Sequence, residues 1–254
     1  NTRALFKGSK SGTPIKLETY VKHYTAAFDL DPFKPFETTS EIGENMQSNG
    51  ALMRCSPLAC LGSEDGILTQ AVMQDCWLTN PSSIAYWCEF VYLSVIRLGL
   101  MGYKPEDVWP LVLTFSTTSP PIIQETIIKV RDRIVIPTTT SPEGTNVKGW
   151  VVVGFYTAIS CLYEMATHPE TTFETLIAWV IGLGGDTDTN AAISGALIGS
   201  FCGYETLKTN PTTADNIRIA IASTSGSEPT DIPRPPAYQI GDFATMVVQL
   251  HQLG

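Results

Sequence analysis

The strongest chemical feature of the sequence is an oxygen-rich segment between an apolar run and a helix of small residues. The segment, GGDTDTN at 184–190, contains two carboxylates, two threonine hydroxyls and one amide. Burying so many oxygen atoms at a helix start is costly unless something binds them. Hard divalent cations prefer such oxygen ligands. The loop-to-helix transition therefore predicts a metal site at which Asp186, Asp188 and Thr189 converge.

Two simpler interpretations compete with a metal site. The first is that Asp188 or Thr189 only caps the helix, because both residue types are preferred at helix starts. One helix start needs one cap, however, and this segment offers several. The second is a calcium-binding EF-hand loop, because the spacing D-x-D-x-N matches its opening. That match fails later, since position six is Ala191 instead of glycine and position twelve is Leu197 instead of glutamate.

The helices that hold this segment are predicted from hydrophobic periodicity and from residues typical of helix ends. Apolar residues recur at helical spacing along most of the chain, with little of the alternation typical of strands. The sequence predicts a small-residue helix after Asn190 and further helices over 15–28, 63–78, 81–100, 105–116, 120–134, 150–166, 171–184 and 242–253. Loops are predicted over 136–149 and 223–236. We therefore expect an all-α fold in one domain over residues 1–254.

Individual residues mark the ends and faces of these helices. Asn80 is predicted to cap the next helix, with Pro81 at its first position, where a missing N–H costs nothing. Residues 171–174, TTFE, match a capping box. Gly184 and Gly185 allow backbone angles that other residues resist. A stripe of small residues is predicted to let a neighbouring helix approach closely: Ala191, Gly195, Gly199 and Gly203.

The composition restricts the classes of function. The chain of 254 residues is 43% hydrophobic and 16% charged, which is enough to bury a substantial core. Its net charge of −9 argues against a general binder of nucleic acid or anionic membranes. Two apolar segments, around 84–101 and 150–163, are interrupted by charged or polar residues and are predicted to be buried helices. The six cysteines form no CxxC pair and indicate free thiols in a reducing, intracellular, cytoplasmic setting.

Three motifs resemble those of the ADP-ribosylglycohydrolase family, which includes dinitrogenase-reductase-activating glycohydrolases and J1-type crystallins. GGDTDTNAAISGALIG at 184–199 is similar to the family's C-terminal metal-binding signature. SNGALMRCSP at 48–57 is similar to its N-G-x-x-M-R-x-x-P block. LTNP at 78–81 is similar to its T-H-P motif, with Asn80 in place of histidine. The motifs stand in family order, and the resemblance covers roughly residues 1–205.

The resemblance implies an orthogonal multi-helix domain that hydrolyses the N- or O-glycosidic bond between ADP-ribose and a protein or small-molecule acceptor. It implies a pair of magnesium ions, held on one side by Asp186, Asp188 and Thr189, which bind the ribose hydroxyls and orient water. No catalytic residue beyond these ligands is assigned. ADP-ribose, free or attached to a substrate, is the implied partner, and its expected contacts are Ser48, Asn49, Gly50, Ala51, Met53 and Gly185.

Several of these contacts have a plainer interpretation. The Asn49-Gly50 pair is also typical of an ordinary turn. Glycine at position 50 would let backbone N–H groups approach phosphate oxygens. Met53 is more often a core residue than a ligand contact. Arg54 either faces a phosphate or forms a structural ion pair.

The sequence departs from the family pattern in one respect. The family carries an acidic T-D-D-T block near its N-terminus that completes the metal site, and this sequence has no Asp-Asp pair. We expect either that this segment precedes Asn1 in a longer protein, as a further partner of the domain, or that half of the site is lost. The chain alone then holds one half-site and has little glycohydrolase activity. The alternative function is a non-catalytic ADP-ribose binder or a crystallin-like structural protein.

Overall fold

The computed structural model of the protein describes residues 45–61 and 65–224, without the side chains of 65–67 and 220–224. This part of the chain is helical and has no β-strand, which confirms the all-α fold. A short 3₁₀ helix, Ser56–Cys60, comes first. It is followed by α1 (Asp65–Thr79), α2 (Ser83–Leu100), α3 (Pro105–Phe115), α4 (Pro121–Arg131), α5 (Val151–Thr167), α6 (Phe173–Gly182), α7 (Thr187–Cys202), α8 (Tyr204–Leu207) and α9 (Pro211–Thr224).

Helices α2, α5 and α7 form the centre of the described part. Helix α5 contacts α2, α3, α4 and α7, and α7 also contacts α2 and α6. Every residue from 85 to 99 on α2 and from 151 to 162 on α5 is buried, as is typical of helices that are apolar on all faces. The Tyr92 hydroxyl on α2 donates a 2.9 Å hydrogen bond to the Ile193 carbonyl on α7. The helix that starts at the oxygen-rich segment is therefore fixed by two buried neighbours.

Close approach to α7 depends on glycines of the neighbouring helices. A Cβ atom at Gly154 on α5 would lie 2.9 Å from Cδ1 of Ile193, and one at Gly99 on α2 would lie 2.5 Å from Oγ of Ser200. Both distances are shorter than real Cβ contacts, so a larger residue would require the Ile193 and Ser200 side chains to shift or the helices to separate. Glycine at these two positions lets α2 and α5 pack directly against α7.

The small-residue stripe on α7 lies against a neighbouring helix at Gly195, but the tightest contacts of α7 are made elsewhere. A Cβ at Gly195 would lie 3.6 Å from Ile177 on α6, which is an ordinary contact. At Gly199 the nearest atom would be 4.0 Å away. Gly203 lies beyond the helix as its C-cap, with a φ of 76°. The tight contacts use glycines that face α7 from other helices, and the stripe on α7 itself leaves space.

Most predicted helices agree with the structure, but the short 3₁₀ helix, α8 and α9 are not predicted from the sequence. The predicted ranges of α1 to α6 match to within about three residues at each end. Helix α9 was not predicted, although Asn210 accepts hydrogen bonds of 3.0 and 3.2 Å from the backbone N–H groups of Thr212 and Thr213, as an N-cap does. The loop predicted from 223 begins inside this helix. The helices predicted over 15–28 and 242–253 lie outside the described residues.

Two predicted helix caps are wrong in detail. Ser82, not Asn80, is the N-cap of α2. Thr172 is the N-cap of α6, and its hydroxyl accepts a 3.2 Å hydrogen bond from the Thr175 N–H. The expected capping-box glutamate, Glu174, instead accepts a hydrogen bond from the Thr213 hydroxyl on α9. In both cases the side chain that the local sequence predicts as part of a cap forms a hydrogen bond with a distant residue instead.

The apolar segments and the cysteines behave as core elements. Helix α2 is long and apolar enough to cross a membrane, but 83% of that stretch is buried inside the protein, as in the core helix of a globular domain. The six cysteines are free thiols, and four of them are buried: Cys55, Cys76, Cys88 and Cys161. The prediction that these cysteines are unpaired core residues is confirmed for those four.

Candidate functional site

The oxygen-rich segment forms a tight turn that leads into α7. Gly184 and Gly185 have φ angles of 74° and 81°, in the left-handed region that glycine adopts most readily. A Cβ at Gly185 would also lie 2.3 Å from the carbonyl oxygen of Thr138, so this position has no room for a side chain. The Thr138 hydroxyl donates a 2.6 Å hydrogen bond to the Leu183 carbonyl. Thr138 therefore holds the turn from one side, through its hydroxyl group and through the position of its carbonyl oxygen.

Asp186 lies at the N-cap position of α7, but its side chain makes no capping hydrogen bond. Its Oδ2 atom instead accepts a 2.7 Å hydrogen bond from Nδ2 of Asn49. Asp188 and Thr189 lie inside the first turn of the helix, so neither is the cap. The simple capping interpretation is therefore excluded for all three predicted ligands.

The carboxyl group of Asp188 lies within hydrogen-bond reach of Asp186. The Thr189 backbone N–H lowers the pKa of the exposed Asp188, and a hydrogen bond with Asp186 and the N–H of Asp188 itself lower it further. Two carboxyl groups this close repel each other unless they share a proton or a cation. The free N–H groups of a helix start also favour negative charge there. This arrangement suits either a shared proton or a bound cation.

Asn49 is brought to this turn by the loop between Ser48 and Met53. Its backbone N–H donates a 2.8 Å hydrogen bond to the Gly149 carbonyl, and its own carbonyl accepts one of 2.9 Å from the Met53 N–H. Only 7% of Asn49 is exposed, so its amide is held in a protected place. A Cβ at Gly149 would lie 3.5 Å from Oδ2 of Asp186, which places this glycine beside the Asn49–Asp186 hydrogen bond.

The other residues of this loop that are expected to contact ADP-ribose differ in how exposed they are. Ser48 is exposed, and Met53 is 53% exposed, so Met53 is not a core residue. The side chain of Ala51 is wholly buried, which leaves only its backbone for a ligand. Gly50 does not have a positive φ, and a Cβ there would make ordinary contacts of 3.5 Å. The conformation at this position therefore does not itself require glycine.

Three functional positions were missed or misassigned from sequence. Thr138 and Gly149 belong to a segment that was predicted only as a loop. Asn80 was assigned as a helix cap, but its Nδ2 donates to the Met46 carbonyl at 3.0 Å and to the Ser48 hydroxyl at 2.9 Å. Of these three positions, only Gly149 has a local sequence pattern that could have indicated its role, because a Lys-Gly pair in a polar stretch is typical of a turn.

The donor set fits one side of a magnesium site. Within residues 45–61 and 65–224, no group of three or more His, Cys, Asp or Glu side chains is arranged to hold a metal ion. Asp186, Asp188 and Thr189 offer only oxygen atoms, and Mg²⁺ typically uses one or two carboxylates and keeps several waters. The chemistry of these donors therefore suits Mg²⁺ rather than a metal that prefers sulfur or nitrogen.

Fold and site together define an all-α protein in which an acidic helix start is joined to a distant loop. The ADP-ribosylglycohydrolase family model matches residues 10–214, and the chain belongs to that family, which is of the hydrolase type. A solved structure described as an ADP-ribosylglycohydrolase-related protein complex is similar in fold, with 18% sequence identity and a TM-score of 0.50. The alignment covers 86% of this chain and 77% of that chain. A comparison with curated proteins found no match.

Proposed function

We propose that the protein is a magnesium-dependent hydrolase that cleaves the N- or O-glycosidic bond between ADP-ribose and a protein or small-molecule acceptor. The observation that carries the proposal is the 2.7 Å hydrogen bond between Asn49 and Asp186, two residues 137 positions apart. This bond joins the loop expected to contact ADP-ribose to the residues expected to bind the metal. The family match includes both segments.

Each side chain has a role that follows from its position. Asp186, Asp188 and Thr189 would hold Mg²⁺. When bound, Mg²⁺ supplies Lewis acidity toward the ribose hydroxyls and toward water. The Asn49 amide engages Oδ2 of Asp186 and so orients that carboxylate. The exposed side chain of Met53 is available to the ligand, whereas the exposed Ser48 hydroxyl already accepts a hydrogen bond from Asn80.

The test is the release of ADP-ribose from arginine-linked and serine-linked ADP-ribosyl peptides. It is run with the 254-residue chain and with the complete coding sequence that contains it. We expect release to require Mg²⁺, to stop with EDTA, and to fall at least 100-fold in Asp186→Asn and Asp188→Asn. Asp132→Asn is the matched control, because Asp132 is exposed and, in the part of the chain that the structure describes, pairs with the adjacent Arg131. Full activity in both site variants would refute the assignment.

A non-catalytic role remains the alternative outcome of this experiment. The complete protein would then bind free ADP-ribose in calorimetry but release none from either peptide. That result would assign the Asn49–Asp186 site to recognition alone. Release by the 254-residue chain at the rate of the complete protein would instead contradict the expectation that this chain holds only half of the metal site.

A further inference from the structure

The guanidinium group of Arg54 joins the loop that carries Asn49 to helix α1. Its Nη1 donates to the Gly50 carbonyl at 3.1 Å and to the Thr79 hydroxyl at 2.8 Å. Its Nε lies 3.2 Å from Oδ1 of Asp75, and its Nη2 lies 3.2 Å from Oδ2. Nη2 also donates to the Asp75 backbone carbonyl at 2.7 Å.

These contacts decide between the two sequence-based interpretations of Arg54. A guanidinium has five N–H donors, and four of them donate hydrogen bonds, to the Gly50 carbonyl, the Thr79 hydroxyl, and the Oδ1 atom and carbonyl of Asp75. Oδ2 of Asp75 lies near Nη2 but accepts no hydrogen bond from the described part of the chain. Most of the donors are committed to the loop and to α1, which favours the structural ion pair over a phosphate contact.

The contacts of Arg54 continue as a series of hydrogen bonds that leads back to the loop. The Thr79 hydroxyl, which accepts from Arg54, donates to Oδ1 of Asn80 at 2.8 Å. Nδ2 of Asn80 in turn donates to the Ser48 hydroxyl at 2.9 Å and to the Ser48 carbonyl at 3.2 Å. The loop is thus tied to the end of α1 on both sides of Asn49, through Ser48 and through Gly50.

The Arg54–Asp75 pair is suited to hold a fixed geometry. The side chains of Arg54 and Asp75 are 33% and 19% exposed, so solvent screens the pair less than it screens a surface ion pair. The guanidinium holds Asp75 at two atoms, the side-chain Oδ1 and the backbone carbonyl, which fixes direction as well as distance. Lysine offers three donors on one nitrogen and does not reproduce this planar arrangement.

We propose that Arg54, held by Asp75, is a positioning residue that places the Asn49 amide against Asp186 and so prepares the loop for ADP-ribose. The last clause rests on the proposed function, whereas the placement of Asn49 does not. Arg54 acts through the Gly50 carbonyl, one residue from Asn49, and through the Thr79–Asn80–Ser48 contacts on the other side. The class of substrate is unchanged, but Asp75 and Thr79 join the residues on which its binding depends.

The first test measures the loop without any ligand. Amide hydrogen exchange is followed at Asn49 and Met53, whose N–H groups donate to the Gly149 and Asn49 carbonyls, and on α5 as an internal reference. In Arg54→Lys and Asp75→Asn we expect loop exchange at least tenfold faster, with exchange on α5 unchanged. Arg131→Lys is the matched control and should leave both unchanged, because Arg131 is exposed and, among the described residues, its side chain pairs with the adjacent Asp132.

The second test measures ADP-ribose binding by calorimetry in the presence of Mg²⁺. We expect the Kd to rise at least tenfold in Arg54→Lys and Asp75→Asn, measured where circular dichroism shows each variant to be folded. If Arg54→Lys does not fold, Thr79→Val replaces it, since it removes the two hydrogen bonds of the Thr79 hydroxyl and keeps the ion pair. Loop exchange within twofold of wild type in the folded variants would overturn the proposal. Absence of ADP-ribose binding by the wild type would count against the proposed function, while the exchange result would still judge the positioning role.

Discussion

Glu89 should make the protein less stable as the pH rises through neutrality. This residue lies on α2 and its side chain is wholly buried. Burial raises the pKa of its carboxyl group from 4.5 to about 8, and the negative charge of Asp75 adds to the rise. The Cys76 thiol and the positive charge of Arg54 oppose it, without cancelling it. Glu89 is therefore a neutral acid at pH 7 in the folded protein.

The sign and the size of the effect follow from this shift. An unfolded chain releases the Glu89 proton near pH 4.5, whereas the folded protein keeps it until about pH 8. The unfolded state binds fewer protons in this window, so the free energy of unfolding falls as the pH rises. The slope is about 1.4 kcal/mol per pH unit at most, which gives about 3 kcal/mol between pH 5.5 and 7.5.

Glu89→Gln removes this titration and keeps nearly the same shape. We expect the free energy of unfolding of the variant, minus that of wild type, to increase by about 3 kcal/mol from pH 5.5 to 7.5. Urea denaturation followed by tryptophan fluorescence measures the difference. Glu125→Gln is the control, because the Glu125 side chain is 58% exposed and pairs with Lys129 on the surface. A constant difference between Glu89→Gln and wild type across this pH range would refute the argument.

Three further substitutions test the geometry around the site. Gly185→Ala should lower the free energy of unfolding in urea by about 2–4 kcal/mol, because φ is 81° and the new Cβ would lie 2.3 Å from the Thr138 carbonyl oxygen. Gly182→Ala is the control and should cost little, because a Cβ there meets open space. Equal losses in the two variants would contradict this account. Asn80→Asp places a carboxylate against the Ser48 and Met46 carbonyls and should lower the thermal midpoint by several degrees above pH 5, an effect expected to shrink at pH 3. Asn210→Ala should cost about 1 kcal/mol by removing the cap of α9, and no change in unfolding free energy would show that α9 does not depend on that cap.

The helices were predictable because their signals are local. Apolar periodicity and the proline or glycine at helix ends lie within each element, and the predicted bounds of α1 to α6 follow from them. The cap predictions are wrong where the side chain forms a hydrogen bond with a residue far away in the sequence. Asn80 is captured by Ser48, 32 positions away, and Glu174 by Thr213, 39 positions away. No local pattern carries such information.

The candidate site was predictable as a set of residue types, but not as an arrangement. The GGDTD sequence indicated the acidic pair and the need for glycine at the turn. The bond from Asn49 to Asp186 spans 137 positions, and the clamp of Thr138 on Leu183 spans 45. These pairings depend on how α5 and α7 pack, which spacing along the chain does not encode. The burial of Glu89 also depends on tertiary packing, because α2 is apolar on every side of it.

The central claim is that Asp186 and Asp188 hold Mg²⁺ where ADP-ribose binds, and calorimetry with free ADP-ribose tests it most directly. The complete protein is titrated with ADP-ribose in Mg²⁺ and again in EDTA, beside Asp186→Asn and Asp188→Asn. The account predicts binding in Mg²⁺ that weakens at least tenfold in EDTA and in each variant. Equal affinity in Mg²⁺ and in EDTA, retained in both variants, would contradict it.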